Sequence, residues 1–170
     1  MNFQEKLRLA RQLEVLGVDI IEAGFPASSP GDFDSVRAIA RQAGDVQIAG
    51  LARCVRKDIE RCWEAVREAR HPRIHTFIAT SPLHMRYKLR KSPAEVLEQA
   101  EAMVAFCASL TENVEFSMKL AGAQSISAFA RIFSAKCLPN FLYAFSILVT
   151  SVRSIPIPII IDKSRSGKSA

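Results

Sequence analysis

The sequence holds little that suggests a disulfide framework or a zinc site. Its four cysteines, Cys54, Cys62, Cys107 and Cys137, include no CxxC pair and lie scattered through apolar stretches. That is the pattern of buried free thiols in a reducing compartment. Histidine is equally sparse, with His71, His75 and His84 the whole set. His71 and His75 stand four apart, but Pro72 and the strand pattern around it rule out a helical HxxxH metal site. The first ten residues are polar and helical in pattern, so no signal peptide is read. No uninterrupted apolar run approaches the roughly 20 residues a membrane helix requires. The strongest, 141–150, is too short, and the wider stretch 138–161 contains Pro139, Arg153, Pro156 and Pro158. A tail-anchored membrane protein is therefore a weak third reading.

Acidic residues are also missing, but only in one place. After position 117 the acids reduce to Asp162, against Lys119, Arg131, Lys136, Arg153, Lys163, Arg165 and Lys168. The formal net charge of +6 thus sits in the tail, and the body before it is balanced. This is a compositional break near residue 117 rather than a basic, nucleic-acid-binding domain. The 170 residues suffice for one domain with a sizeable core. They fall short of the roughly 250 that a complete (β/α)₈ barrel takes.

What is present is an alternation of short apolar runs and amphipathic helices. A helix is expected over 4–16, with Leu9, Leu13 and Leu16 on one face and Gly17 as its stop. VDIIEAG (18–24) reads as a first strand. A second helix (32–43) turns Phe33, Val36, Ile39 and Ala40 inward. VQIAGLA (46–52) is a second strand, followed by a helix over 57–69 with Ile59, Cys62, Trp63 and Val66 as its stripe. RIHTFIAT (73–80) is the third strand, and 81–91 a long loop. Ser92-Pro93-Ala94-Glu95 combines a capping box with proline at the first helical position. The helix it opens runs to about Leu110 and buries Val96, Ala100, Met103, Val104 and Cys107. NVEFS (113–117) is the fourth strand. Such alternation predicts a parallel sheet with helical crossovers, either a barrel or a doubly wound sheet. In both, the site lies at the C-terminal strand ends, here Glu22 to Phe25, Leu51 to Arg53, Ala79 to Ser81, and Phe116 to Ser117.

The segments LGVDIIEAGFPASSPGDF (16–33), GLAR (50–53), RIHTFIATSPLHMRYKL (73–89) and VEFS (114–117) occur in this order. Together they resemble the 2-isopropylmalate synthase family, including the plant forms and the related methylthioalkylmalate synthases. The resemblance covers residues 3–117. It implies an α/β fold, a partial TIM (β/α)₈ barrel of about four βα units, with an atypical C-terminal tail. It implies the domain division 1–117 as partial catalytic barrel, 118–137 as a doubtful helix, and 138–170 as a tail outside the family, apolar and then disordered. The family condenses acetyl-CoA with a 2-oxo acid, such as 3-methyl-2-oxobutanoate in leucine biosynthesis, with a divalent metal ion (Mg, Mn or Zn) polarising the keto group.

Carried over residue by residue, the resemblance implies a catalytic role for His75 and substrate-binding roles for Glu22, Arg53 and Ser117. Each has a plainer alternative. Glu22 is otherwise a strand-end carboxylate, although its apolar neighbours Ile20, Ile21, Ala23 and Phe25 favour a buried group that needs a partner. His75 is otherwise a hydrogen-bonded strand histidine, Ser117 a backbone-capping hydroxyl, and Arg53 the partner of a nearby acid. Arg86 to Lys91 suits a phosphate or carboxylate, or is a solvated loop.

The departures limit what is expected of this chain. The family draws one metal ligand from an Arg-Asp-Gly-x-Gln strand and two from a His-x-His motif, and neither occurs here, so no metal ligand is assigned. Lys119 stands where the family has a catalytic acid, and a cation cannot serve as the carboxylate base. A frameshift, retained intron or gene-model error after Ser117 is one expectation, and inactivity of the chain alone is another. The family forms homodimers, and it is plastidial in plants and cytoplasmic in bacteria. A non-catalytic chain that binds full-length synthase subunits is the alternative function.

Overall fold

The computed structural model describes residues 1–119 and 144–146. Among the described residues five α-helices and five strands are ordered α1 (Phe3–Val15), β1 (Ile20–Gly24), α2 (Pro30–Gln42), β2 (Gln47–Arg53), α3 (Arg56–Val66), β3 (His71–Ala79), α4 (Pro82–His84), α5 (Pro93–Leu110), β4 (Val114–Lys119) and β5 (Ala144–Ser146), with a π-helical turn between α4 and α5. The strands form one parallel sheet in the order β1-β2-β3-β4-β5. Spatial order equals chain order, with none of the reversal that defines a doubly wound sheet. The long helices line up the same way, on one face. Lys6 of α1 meets Asp32 of α2 at 2.6 Å. Arg61 of α3 lies over the Phe33 ring of α2 at 3.3 Å, and Arg56 of α3 lies over the Phe106 ring of α5 at 3.8 Å. Sequential parallel strands with every long crossover helix on one side define the winding of a partial α/β barrel.

Local chemistry explains the elements. Asn2 and Glu5 close a capping box on α1, and Ser92 and Glu95 close the expected one on α5, with Pro93 at its first position. On the helical side of the sheet, β2, β3 and β4 present Ile48, Ala52, Ile74, Ile78, Val114, Phe116 and Met118, all nearly or fully buried. Against them pack Ile59, Cys62 and Val66 of α3 and Val96, Ala100, Val104 and Cys107 of α5. Gly50 sits at the closest helix–sheet approach. A Cβ there would lie 2.6 Å from Cys62 Sγ and 2.9 Å from Val66 Cγ1.

Some expectations are corrected. The inward face of α1 is Leu7 and Ala10, with Leu13 flanking them. Leu16 is 74% exposed because the helix ends at Val15 and Leu16 serves as its C-cap. The expected loop 81–91 is largely helical, with the short α4 running into a π-helical turn, Met85–Leu89. Within the apolar tail, β5 pairs with β4, placing Ser146 beside Ser117. The doubtful helix expected over 118–137 and the disorder expected towards residue 170 fall outside the described residues, apart from the end of β4. No helix among the described residues is long and apolar enough to cross a membrane.

Candidate active site

Side chains alternate across a strand, so the residues between those packed on the helices face the opposite wall. That wall is polar. It carries Glu22 from β1, Arg73 and His75 from β3, Glu115 and Ser117 from β4, with Ala49 and Leu51 of β2 between them. Glu22 and Arg73 flank Ala49 in register. Strands β1 and β3 stand two spacings apart, roughly 10 Å, and the small Ala49 side chain leaves room for a carboxylate to cross. A register shift between Glu22 and Gly24 bends β1 at this point. Gly24 takes φ +145 there, a conformation L side chains rarely adopt.

The result is a line of three groups, with His75 buried and Glu22 and Ser117 partly buried. His75 Nδ1 lies 2.5 Å from Glu22 Oε2, and His75 Nε2 lies 2.8 Å from Ser117 Oγ. A carboxylate only accepts, so Nδ1 carries a proton and donates to Glu22. With the ring neutral, Ser117 Oγ donates to Nε2; with the ring charged, Nε2 donates to Ser117. His75 is 6% exposed. Burial of the ring opposes its charge, but the Glu22 hydrogen bond, the Glu22 charge and the more distant Glu115 charge outweigh burial and the opposing Arg73, raising the imidazole pKa above its ordinary value. Glu115 Oε1 stands 3.9 Å from His75 Nε2.

A second polar layer lies toward the N-terminal strand ends. Arg73 donates to Asn113 Oδ1 at 2.7 Å and to Glu115 Oε2 at 3.3 Å, and Asn113 Nδ2 donates to Gln47 Oε1 at 3.0 Å. These residues were not singled out from the sequence. Their signal was present, since Arg73 precedes His75 by two and Glu115 precedes Ser117 by two, which puts each pair on one face.

Three of the four expected site residues therefore come together. Arg53 does not join them. Its guanidinium donates to both Asp58 oxygens, at 2.5 and 3.2 Å, and lies 5.5 Å from the Phe25 ring centre. It is half-exposed at the C-terminal end of β2, where the buried Asp58 of α3 holds it. Among the described residues no group of three or more His, Cys, Asp or Glu side chains could hold a metal ion. The donor set does not fit one at the trio either, because both His75 nitrogens are engaged. The arrangement can hold a proton on His75 and present a hydroxyl beside it.

Strand order and helix placement define the class: a partial (β/α)-barrel domain, here with a polar inner wall. The comparisons narrow this further. Residues 1–137 match the family model described as HMGL-like, and the chain belongs to that family. A 2-isopropylmalate synthase of Nitratidesulfovibrio vulgaris is 59% identical over 135 residues, 79% of this chain and 26% of the relative. That of Halalkalibacterium halodurans is 52% identical over the same share of each chain. That of Syntrophus aciditrophicus is 60% identical over 117 residues, 69% of this chain and 23% of the relative. The chain thus carries a partial, N-terminal HMGL-like domain and spans about a quarter of the length of these relatives. The family match extends past Ser117, where the charge balance changes.

Proposed function

We propose that this chain forms the 2-oxo-acid-facing wall of an acyltransferase of the 2-isopropylmalate synthase type, and that it does not turn over alone. The observation that carries the proposal is the Glu22–His75–Ser117 line, partly buried on the non-helical face of the sheet. Glu22 holds the imidazole in place and favours its charged form. With the ring charged, Nε2 donates to Ser117 Oγ, which leaves the Ser117 hydroxyl to donate to a carboxylate or keto oxygen. Arg53, half-exposed at the strand end, adds a cation for an anionic substrate. The assigned co-substrates are acetyl-CoA and 3-methyl-2-oxobutanoate. The divalent ion that would polarise the keto group needs donors not found among the described residues, so no step is assigned to it here. A homodimer is the assigned assembly. The bacterial sources of the relatives favour the cytoplasm over a plastid.

Titration of the chain with 3-methyl-2-oxobutanoate, followed through the His75 ring resonances, tests the wall. A saturable shift of His75, absent in Ser117→Ala, is expected. No shift at saturating oxo acid overturns the assignment. Release of CoA thiol from acetyl-CoA by the chain alone would overturn its inactivity.

A further inference from the structure

Directly beside His75 in the sheet stands Glu115, its register partner on β4. Side chains opposed in this way are the usual cross-strand contacts. The imidazole nevertheless bypasses this carboxylate. Its Nε2 lies 3.9 Å from Glu115 Oε1, outside hydrogen-bond range, and 2.8 Å from the Oγ of Ser117, further along β4. Coulomb attraction draws a charged imidazole more strongly to a carboxylate than to a neutral hydroxyl. The observed choice therefore requires that Glu115 be held away.

Arg73 does this. Its Nη1 donates to the other carboxylate oxygen, Glu115 Oε2, at 3.3 Å. The guanidinium is itself anchored, because its Nε donates to Asn113 Oδ1 at 2.7 Å and Asn113 Nδ2 donates to Gln47 Oε1 at 3.0 Å. Gln47 opens β2 and Asn113 immediately precedes β4. The anchor thus lies at the strand starts, away from the end where barrels bind ligands. Both members of the ion pair are shielded from water, with side-chain exposures of 14% for Arg73 and 10% for Glu115.

We propose that Arg73 is a positioning residue, which by tethering Glu115 keeps His75 on Ser117. Removing Arg73 leaves Glu115 with His75 as its one cation within ion-pair distance among the described residues. A buried carboxylate stripped of its partner carries a large penalty, and a side-chain rotation that closes the 3.9 Å gap to Nε2 relieves it. Ser117 then loses the ring, and with it the bond that leaves its own proton for a ligand. The effect on the ring concerns these side chains alone. The effect on ligand binding rests on the reading of this wall as the 2-oxo-acid site.

Nitrogen NMR of the full chain labelled at histidine tests the tether through the coupling of Ser117 to the ring. The spectra are taken at about pH 5.5, below the ordinary histidine pKa. In the otherwise native chain, Ser117→Ala moves the His75 Nε2 resonance. In an Arg73→Met background the same substitution is expected to leave it in place, because the ring already rests on Glu115. Adding Glu115→Met to Arg73→Met removes both charges and restores the sensitivity to Ser117→Ala. Arg73→Met also weakens binding of 3-methyl-2-oxobutanoate about tenfold, and the added Glu115→Met recovers most of that loss. Far-ultraviolet circular dichroism checks folding, and Arg73→Gln provides the same comparison should Arg73→Met not fold. An undiminished response to Ser117→Ala without Arg73 overturns the proposal, as does a folded Arg73→Met/Glu115→Met chain that stays insensitive. If the ring behaves as described while the native chain ignores the oxo acid, the tether stands and the substrate reading falls.

Discussion

Replacing Glu22 with glutamine removes one charge from the Glu22–His75–Ser117 line and little else. The amide oxygen still accepts from His75 Nδ1, so the geometry survives while the charge is lost. A hydrogen bond to a charged group contributes about 1.5–3 kcal/mol. Glu115 Oε1, 3.9 Å from the far nitrogen, retains part of the favourable field, which places the expected loss near 2 kcal/mol. The pH dependence follows from the direction of the His75 shift. A histidine whose folded pKa is raised adds stability that is complete below its unfolded pKa, about 6.5. That stability fades as pH rises through the folded value. The loss from Glu22→Gln is therefore largest near pH 5.5 and small near pH 9. Thermal unfolding at both pH values measures it, with a drop of about 5 °C or more expected at the lower pH. Equal losses at both pH values, or a wild-type His75 titrating at or below the ordinary histidine range in NMR, would refute the reasoning.

Other perturbations follow from the same structure. Ser117→Ala leaves His75 Nε2 without its 2.8 Å partner and should cost about 1–3 kcal/mol, read from urea unfolding. Gly50→Ala forces a Cβ against Cys62 Sγ and Val66; an overpacking cost of about 1–3 kcal/mol should lower the urea midpoint without changing its slope. Asp32, held at about 2 by Lys6, Ser28 and Ser29, adds stability present above its unfolded pKa and lost as pH falls through 2. Asp32→Asn should thus cost about 1 kcal/mol at pH 7, allowing for solvent screening, and nothing near pH 2, as judged from thermal unfolding. Burial pushes the Cys54 and Cys107 thiols up to about 12 and raises Cys62 as well. Brief iodoacetamide treatment at pH 8 followed by peptide mass spectrometry should find these three unmodified unless urea is present.

Sequence periodicity carried much of the fold. The capping box at Ser92 and Glu95, the inward stripe of α2 and the strand character of IIEAG and RIHTFIA all depend on local spacing, and the structure has each of them. Local spacing could not separate a barrel from a doubly wound sheet, because that depends on strand order across the sheet. It also missed the π-helical turn, whose hydrogen bonds converge on one carbonyl without a sequence signature. At the site, strand-end position and the family resemblance singled out Glu22, His75 and Ser117, which meet. Arg53 was open to two readings. Asp58 settles its hydrogen bonding through a salt bridge five residues along the chain, while its role toward a substrate remains a proposal. Glu115 and Arg73 escaped notice because each reads singly as a surface charge; only the cross-strand register sets them beneath the histidine.

The sheet in which each strand lies beside its chain neighbour also bears on how the protein reaches its structure. Every pairing from β1 to β4 joins segments separated by a single crossover. The loop-closure entropy of each step is therefore modest, and no pairing must wait for a distant segment. As the chain leaves the ribosome, each strand-and-helix unit can dock on the one just completed. Under such growth, Glu22 emerges first and His75 meets it when β3 joins. Ser117 completes the line only when β4 docks, so the polar wall is assembled from one end to the other in the order of synthesis.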